Sequence, residues 1–311
     1  MNKRGYMGKV LFVDLTTGDI KEETIPDAVY EKYLAGIGLA ASILYNRIPA
    51  NADPLGEDNI LGFVTGILTG SGAVFSGRWT VVGKSPLTGG WGDANCGGNF
   101  APAIKRCGYD GIFFRGISQK PVYLHIATNG QACLKDASAY WGKDAIEAED
   151  MLKDAHSSKA RVALIGTAGE KLSLISGICN ERGRIAARSG LGAVMGSKNL
   201  KALVLEGVQR IPVFNRSEVK RLSQKTNRWV QFQPPLFSGK YAALLGSFMR
   251  FNPFQMAMDG MVYKILLKKW GTSSMNQMSI EIGDAPIKNW AGTNVDMKLK
   301  RSAVYNPDII A

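Results

Sequence analysis

Three stretches of this 311-residue chain combine glycine with arginine, lysine or asparagine in a way that suits an anion. SGRWTVVGKSPLTGG carries Arg78 and Lys84. NCGGNF places Asn95 and Cys96 directly before Gly97 and Gly98, where a short helix over Phe100–Arg106 is expected to begin. ERGRIAARSGLGAVMGSKN carries Arg182, Arg184 and Arg188 near Gly190, Gly192 and Gly196. Guanidinium grips phosphate bidentately. Glycine lets an anion approach the backbone, and amides at a helix start point at it. Each stretch also has a plainer reading. Asp93 and Asn95 are ordinary helix-capping types, and a lone loop arginine is usually solvated. The case rests on the three occurring together.

The familiar nucleotide motifs do not fit. A P-loop needs G-x-x-x-x-G-K-S/T, whereas Gly196-Ser197-Lys198 puts serine before lysine. A dinucleotide fingerprint needs G-x-G-x-x-G, and Gly190, Gly192 and Gly196 are one residue too far apart. Cys96, Cys107, Cys133 and Cys179 form no C-x-x-C pair, so no zinc or iron–sulfur site follows from spacing. His125 falls in an expected strand and His156 after an expected helix, each read as structural or exposed rather than catalytic. No nucleophile–base pair stands out. The residues alone describe two Gly/Arg loops for phosphate groups without catalytic machinery of their own.

The elements that would hold these loops recur twice. KVLFVDLTTGDIKEETI reads as a hairpin, Pro26–Tyr45 as one helix, and Ile60–Thr65 and Trp79–Gly83 as strands. The NCGG turn, its helix and a strand over Gly111–Arg115 follow. PVYLHIATNGQACLKDA then forms a second hairpin around Asn129-Gly130. A helix over Asp144–Ala155, strand-like runs over Arg161–Ile165 and Leu172–Ile178, the arginine loop and a strand over Leu200–Leu205 complete the set. FAPAIKRCGYDGIFFRG and GLGAVMGSKNLKALVLEG end the two halves alike, so residues 5–117 and 118–208 read as a diverged duplication. The fold class expected is α+β. A β-rich amino-terminal domain with pseudo-twofold duplication, residues 1–210, precedes the start of a mostly helical domain, residues 211–311. Ser217 is the expected N-cap of a helix to Phe232, and Met258–Trp270 is a second helix.

The net charge is +12, and residues 209–311 hold 15 Lys+Arg against 6 Asp+Glu. These charges are scattered rather than striped, which argues against nucleic acid and for a surface that meets another protein part. No apolar run is long enough to span a bilayer; YAALLGSFMRFNPFQMAMDGM is broken by Arg250, Asn252 and Pro253. No signal-type h-region opens the chain, so a cytoplasmic protein with reduced thiols is expected.

MGKVLFVDLTTGDI, TGILTGSGAVFSGRWTVVGKSPLTGG, ANCGGNF and RSGLGAVMGSKNLKALVLEG resemble the amino-terminal region of aldehyde ferredoxin oxidoreductases. The resemblance runs from Gly8 to Gly207 and continues weakly through KWGT and IGDAPIKNW. It implies a β-rich base for a tungsten or molybdenum ion held by two pyranopterins, whose phosphates are joined through magnesium. Arg78 would contact pterin phosphate, and Asn95, Gly97 and Gly98 would line one pterin. Arg184 and Ile185 would serve the other, with the main-chain carbonyls of Asn95 and Ile185 facing the magnesium. Cys96 stands where serine is common in the family and is not expected to bind metal. The cysteine run that ligates a [4Fe–4S] cluster in family members beyond the NWAGTN-like region is not found here. The resemblance therefore implies the first half of such an enzyme, inactive by itself. Its full form would oxidise an aldehyde and pass electrons through the cluster to ferredoxin. Reduction of an aromatic acyl-CoA or carboxylate, and a non-catalytic pterin-binding scaffold subunit, are the alternatives. A carboxy-terminal half, a partner subunit and a second copy of the chain are the partners it allows.

Overall fold

The computed structural model describes residues 5–231 and short pieces after residue 270. The chain divides into two compact units, Met1–Gln224 and Lys225–Ala311. The first unit contains both copies of the repeat.

The first copy comprises β1 (Lys9–Asp14), β2 (Ile20–Thr24), α1 (Asp27–Tyr33), α2 (Ile37–Arg47), β3 (Leu61–Thr65), β4 (Trp79–Lys84), β5 (Trp91–Cys96), α3 (Phe100–Arg106) and β6 (Gly111–Arg115). The second comprises β7 (Val122–Ile126), β8 (Ala132–Asp136), α4 (Ala145–Ala155), β9 (Arg161–Leu164), α5 (Thr167–Glu170), β10 (Ile178–Asn180), β11 (Arg184–Ala186), α6 (Leu191–Ser197) and β12 (Leu200–Leu205). Helix α7 (Arg216–Gln231) follows. The strand order is β2-β1-β6-β3-β4-β5 in one sheet and β8-β7-β12-β9-β10-β11 in the other. Position by position this is the same topology. Each sheet has a single parallel pair, β1 with β6 and β7 with β12, and its remaining pairs are antiparallel.

Side-chain alternation sets the layers. On β1, Leu11 and Val13 point into a core shared by both sheets, while Val10 points outward beneath Tyr30, Leu39 and Leu44. The shared core takes Phe63, Trp79 and Val81 from the first copy and Leu124, Ile165 and Leu203 from the second. Helix α3 packs across onto β9, and α6 packs across onto β3 and β4. This reciprocal crossing is what a twofold relation between copies produces. Outside the second sheet, Ala148 and Leu152 of α4 cover Val162, Leu164, Ala202 and Val204. Asp144 caps α4, its carboxylate accepting from the amides of Ile146 and Glu147.

Several expectations change. Pro26–Tyr45 is two helices, because Leu34 and Gly36 take φ of +60° and +66° and reverse the chain between them. Residues 91–96 form an edge strand paired with β4, so the glycines follow a strand rather than a bare turn. Leu172–Ile178 is turns, with Leu172 at φ +57°; only Ile178–Asn180 pairs. Part of the arginine loop is itself strand β11. Helix α7 is capped by Asn215, whose Oδ1 accepts from Glu218 N, and not by Ser217. Both hairpins form as read. The helix expected over Met258–Trp270 lies outside the described residues.

Two close approaches set the cost of change. A Cβ on Gly196 would lie 2.0 Å from the carbonyl oxygen of Gly169, where α5 and α6 touch backbone to backbone. Gly196→Ala is expected to lower the unfolding free energy by about 2–3 kcal/mol. Gly90→Ala, with only Thr88 Oγ1 nearby at 3.8 Å, should change it by less than about 0.5 kcal/mol. Urea midpoints of the two variants check this.

Lys105 is wholly buried and donates to the carbonyls of Gly5 and Ile67, with Asp110 4.0 Å away. Burial pushes its ammonium from the usual 10.5 down to about 8, with Asp110 opposing. Between these values the unfolded chain holds the proton and the folded chain has released it. The lysine therefore adds stability as pH rises from about 8 to 10.5. The buried thiol of Cys107, pushed up to about 12, acts in the opposite sense. The comparison with Lys105→Met isolates the lysine: its unfolding free energy should rise less across this window than that of the wild type.

Candidate functional site

The two sheets end on equivalent strands, β5 and β11, and these two edges lie against each other. Unpaired sheet edges need cover, and here polar side chains supply it. Asn180, at the end of β10 and fully buried, donates through Nδ2 to the carbonyl of Gly97 at 3.2 Å. Its Oδ1 accepts from the Cys96 thiol at 3.0 Å. Glu181 accepts from the amide of Asn99, the residue before α3. From the other side, Ser189 ahead of α6 donates to the carbonyl of Asp93 at 3.0 Å, and Ser85 donates to the carbonyl of Ser189 at 2.9 Å. Each copy thus ties the start of its crossing helix, α3 or α6, to the edge region of the other.

Two arginines meet at this seam. Arg78 precedes β4; its Nε donates to Asn95 Oδ1 at 2.7 Å and its Nη2 to the Asn95 carbonyl at 3.1 Å. Arg184 opens β11, with Nε 3.4 Å from Glu181 Oε2. The two remaining Nη1 atoms converge: the point where a Gly97 Cβ would sit is 3.5 Å from Nη1 of Arg184 and 3.8 Å from Nη1 of Arg78. Both side chains are solvent-exposed. One cation from each copy therefore flanks a bare backbone position.

The backbone here accepts only particular residues. Gly98 has φ +100°, and a Cβ on it would stand 2.7 Å from Glu181 Oε2 and 2.8 Å from Asn180 Nδ2. Glu181, Arg182 and Gly183 take successive φ of +48°, +57° and +142°. Positive φ is unfavourable at Glu181 and Arg182 and free at Gly183, and the Glu181 side chain is held at the seam by the Asn99 amide.

The structure brings Arg78, Asn95, Gly97, Gly98 and Arg184 together. Ile185 adjoins Arg184 in β11 opposite Cys179 and is 47 % exposed. Arg182 goes elsewhere: its guanidinium pairs with Asp150 and its amide donates to Glu149. Cys96 is buried, and burial pushes its thiol up. It is a protonated hydrogen-bond donor to Asn180, a bond a serine hydroxyl could also make. Asn95 and Asp93 cap nothing, since α3 starts at Phe100 and no side chain caps it. Sequence reasoning missed Asn180, Glu181, Ser85 and Ser189. Only Glu181, the one acid directly ahead of the R-G-R run, carried a signal.

Residues 10–207 match the model of the aldehyde ferredoxin oxidoreductase N-terminal domain. The tungsten-containing aldehyde ferredoxin oxidoreductase of Pyrococcus furiosus is 42% identical over 215 residues, which is 69% of this chain and 35% of that protein. An aliphatic sulfonate oxidoreductase WOR-like subunit of the same organism is 35% identical over 235 residues, covering 70% and 37%. Among solved structures, the active site complex BamBC of benzoyl coenzyme A reductase with 1,5-dienoyl-CoA aligns with a TM-score of 0.71 at 37% identity. That alignment covers 74% of this chain and 35% of the other. The matched region thus spans about a third of the length of these proteins. With its duplicated sheets and its seam in place, the chain belongs to the aldehyde ferredoxin oxidoreductase family, whose N-terminal domain it contains.

Proposed function

We propose that residues 1–210 are the pterin-binding domain of a tungsten- or molybdenum-dependent oxidoreductase, and that residues 211–311 begin its helical second domain. One observation carries this reading: the Nη1 atoms of Arg78 and Arg184, one from each copy, flank Gly97. Paired guanidinium groups over a backbone without a Cβ fit a ligand that carries two phosphates. A ligand of two similar halves also fits a protein whose two halves are alike.

The residues divide the work. Arg78 and Arg184 bind phosphate. Asn95 fixes the Arg78 plane through two hydrogen bonds, and Glu181 restrains Arg184. Gly97 keeps the approach open, and Gly98 makes room for Glu181 and Asn180 beside it. The main-chain oxygen of Asn95, which also accepts from Arg78, and that of Ile185 would be the hard donors offered to a magnesium ion. The bis-pyranopterin metal supplies two-electron redox chemistry when bound, and this chain supplies position and charge. A [4Fe–4S] cluster, aldehyde oxidation to a carboxylic acid and transfer to ferredoxin belong to the whole protein. A second reading, reduction of an aromatic acyl-CoA, draws on the structural match to the benzoyl coenzyme A reductase complex.

Arg184→Ala and Arg78→Ala should each lower tungsten or molybdenum content of the purified native protein by at least ~10-fold, as loss of a charge-assisted contact implies. Thermal unfolding of the metal-free protein should stay put, because both side chains are exposed. Unchanged metal content in both variants would contradict the assignment. Assaying the intact protein with aldehydes and with aryl-CoA esters separates the two reactions.

A further inference from the structure

The chain has only two histidines, and they lie against each other in the second copy of the repeat. The ring centroids of His125 on β7 and His156 just after α4 are 4.0 Å apart. Glu206, which follows β12, completes the group, with Oε2 2.7 Å from His125 Nε2. One ligand atom from each of the three lies within 4.8 Å of the other two. Tetrahedral zinc with bonds of about 2.1 Å places its donors about 3.4 Å apart, so side-chain adjustment alone would close this set.

The fold does not require these residue types. Aligning GIFFRG with ALVLEG pairs Phe113 with Val204 and Arg115 with Glu206. The strand registers then put Phe12 where His125 stands. In the first copy Phe12 stacks on Phe113 at 5.1 Å, beneath the guanidinium of Arg47, and Arg115 pairs with Asp14. An aromatic plug and an ion pair thus do the structural work there. The second copy has instead two imidazoles and a carboxylate.

The geometry points to a divalent transition-metal site formed by His125, His156 and Glu206, of the kind that takes zinc, cobalt or ferrous iron. Two imidazoles and one carboxylate are borderline-to-hard donors that suit these ions over calcium or magnesium. The surroundings support it. The Tyr123 hydroxyl lies 3.0 Å from Nε2 of His156 and fixes its ring, the usual office of a neighbour to a metal ligand. His125 is 7 % exposed, whereas Glu206 and Ser157 line a cavity of about 520 Å³ that leaves room for water as a fourth ligand. The site lies apart from the Arg78–Arg184 seam and does not depend on the pterin reading.

Cobalt(II) is the probe. Titration of the metal-free 311-residue chain should give saturable visible d–d absorption of tetrahedral intensity at one equivalent, displaced by zinc. His156→Gln, at a partly exposed position, should abolish it. His125→Asn should do the same, and Tyr123→Phe should weaken binding ~10-fold. Circular dichroism confirms that each variant is folded. Only weak octahedral bands in the wild type, or a tetrahedral spectrum that survives His156→Gln, would overturn the proposal. Because the wild-type titration is itself decisive, a variant that fails to fold does not rescue it.

Discussion

The contact between strands β5 and β11 constrains the rest of the first unit. Two sheets of the same topology each end on an edge strand, and the edges meet. Asn180 sits at their junction, fully buried, with its amide spent on Gly97 and its carbonyl oxygen on Cys96. A buried amide left unpaired costs a few kcal/mol in an apolar surround, so both partners are held. The thiol at position 96 thereby serves as the hydrogen-bond donor that this junction needs. The same seam carries the Glu181–Asn99 and Ser189–Asp93 bonds, so its geometry is fixed from both copies at once. Two guanidinium groups then meet as a consequence of where the edges meet.

Divergence between the copies shows which features the fold needs. Both keep the parallel pair next to the outer hairpin strand and the helix that crosses to the other sheet. They differ in what covers the outer face. Tyr30, Leu39 and Leu44 of α1 and α2 cover the first sheet, while Ala148 and Leu152 of the single helix α4 cover the second. Where the first copy puts Phe12, Phe113 and Arg115, the second puts His125, Val204 and Glu206. Structure is retained by apolar packing in both, and the polar residues are free to acquire other roles.

Much of this was legible in the sequence because it is local. Alternation and turn chemistry mark β1–β2 and β7–β8, and the paired endings reveal the duplication. Elements decided by tertiary context were not. Trp91–Cys96 reads as a loop, since glycine at 92 and polar residues at 93 and 95 mask a strand that exists through pairing with β4. The break between α1 and α2 depends on a positive φ at Leu34, a residue that normally continues a helix. At the site, Arg78, Asn95 and Arg184 were identifiable from glycine-flanked arginines together with the family resemblance. Their partners Asn180 and Glu181 were not, because a seam between copies places residues together that lie 84 positions apart in sequence. Histidines 125 and 156, each unremarkable alone, gain meaning only from the 4.0 Å between their rings.

The central claim is that one arginine from each copy holds a phosphate-bearing cofactor at the seam. An experimental structure of the metal-loaded native protein tests it most directly. The account predicts phosphate density within hydrogen-bonding distance of Nη1 of both Arg78 and Arg184, over the Gly97 backbone. Cofactor phosphates held elsewhere, with both guanidinium groups facing solvent, would contradict it.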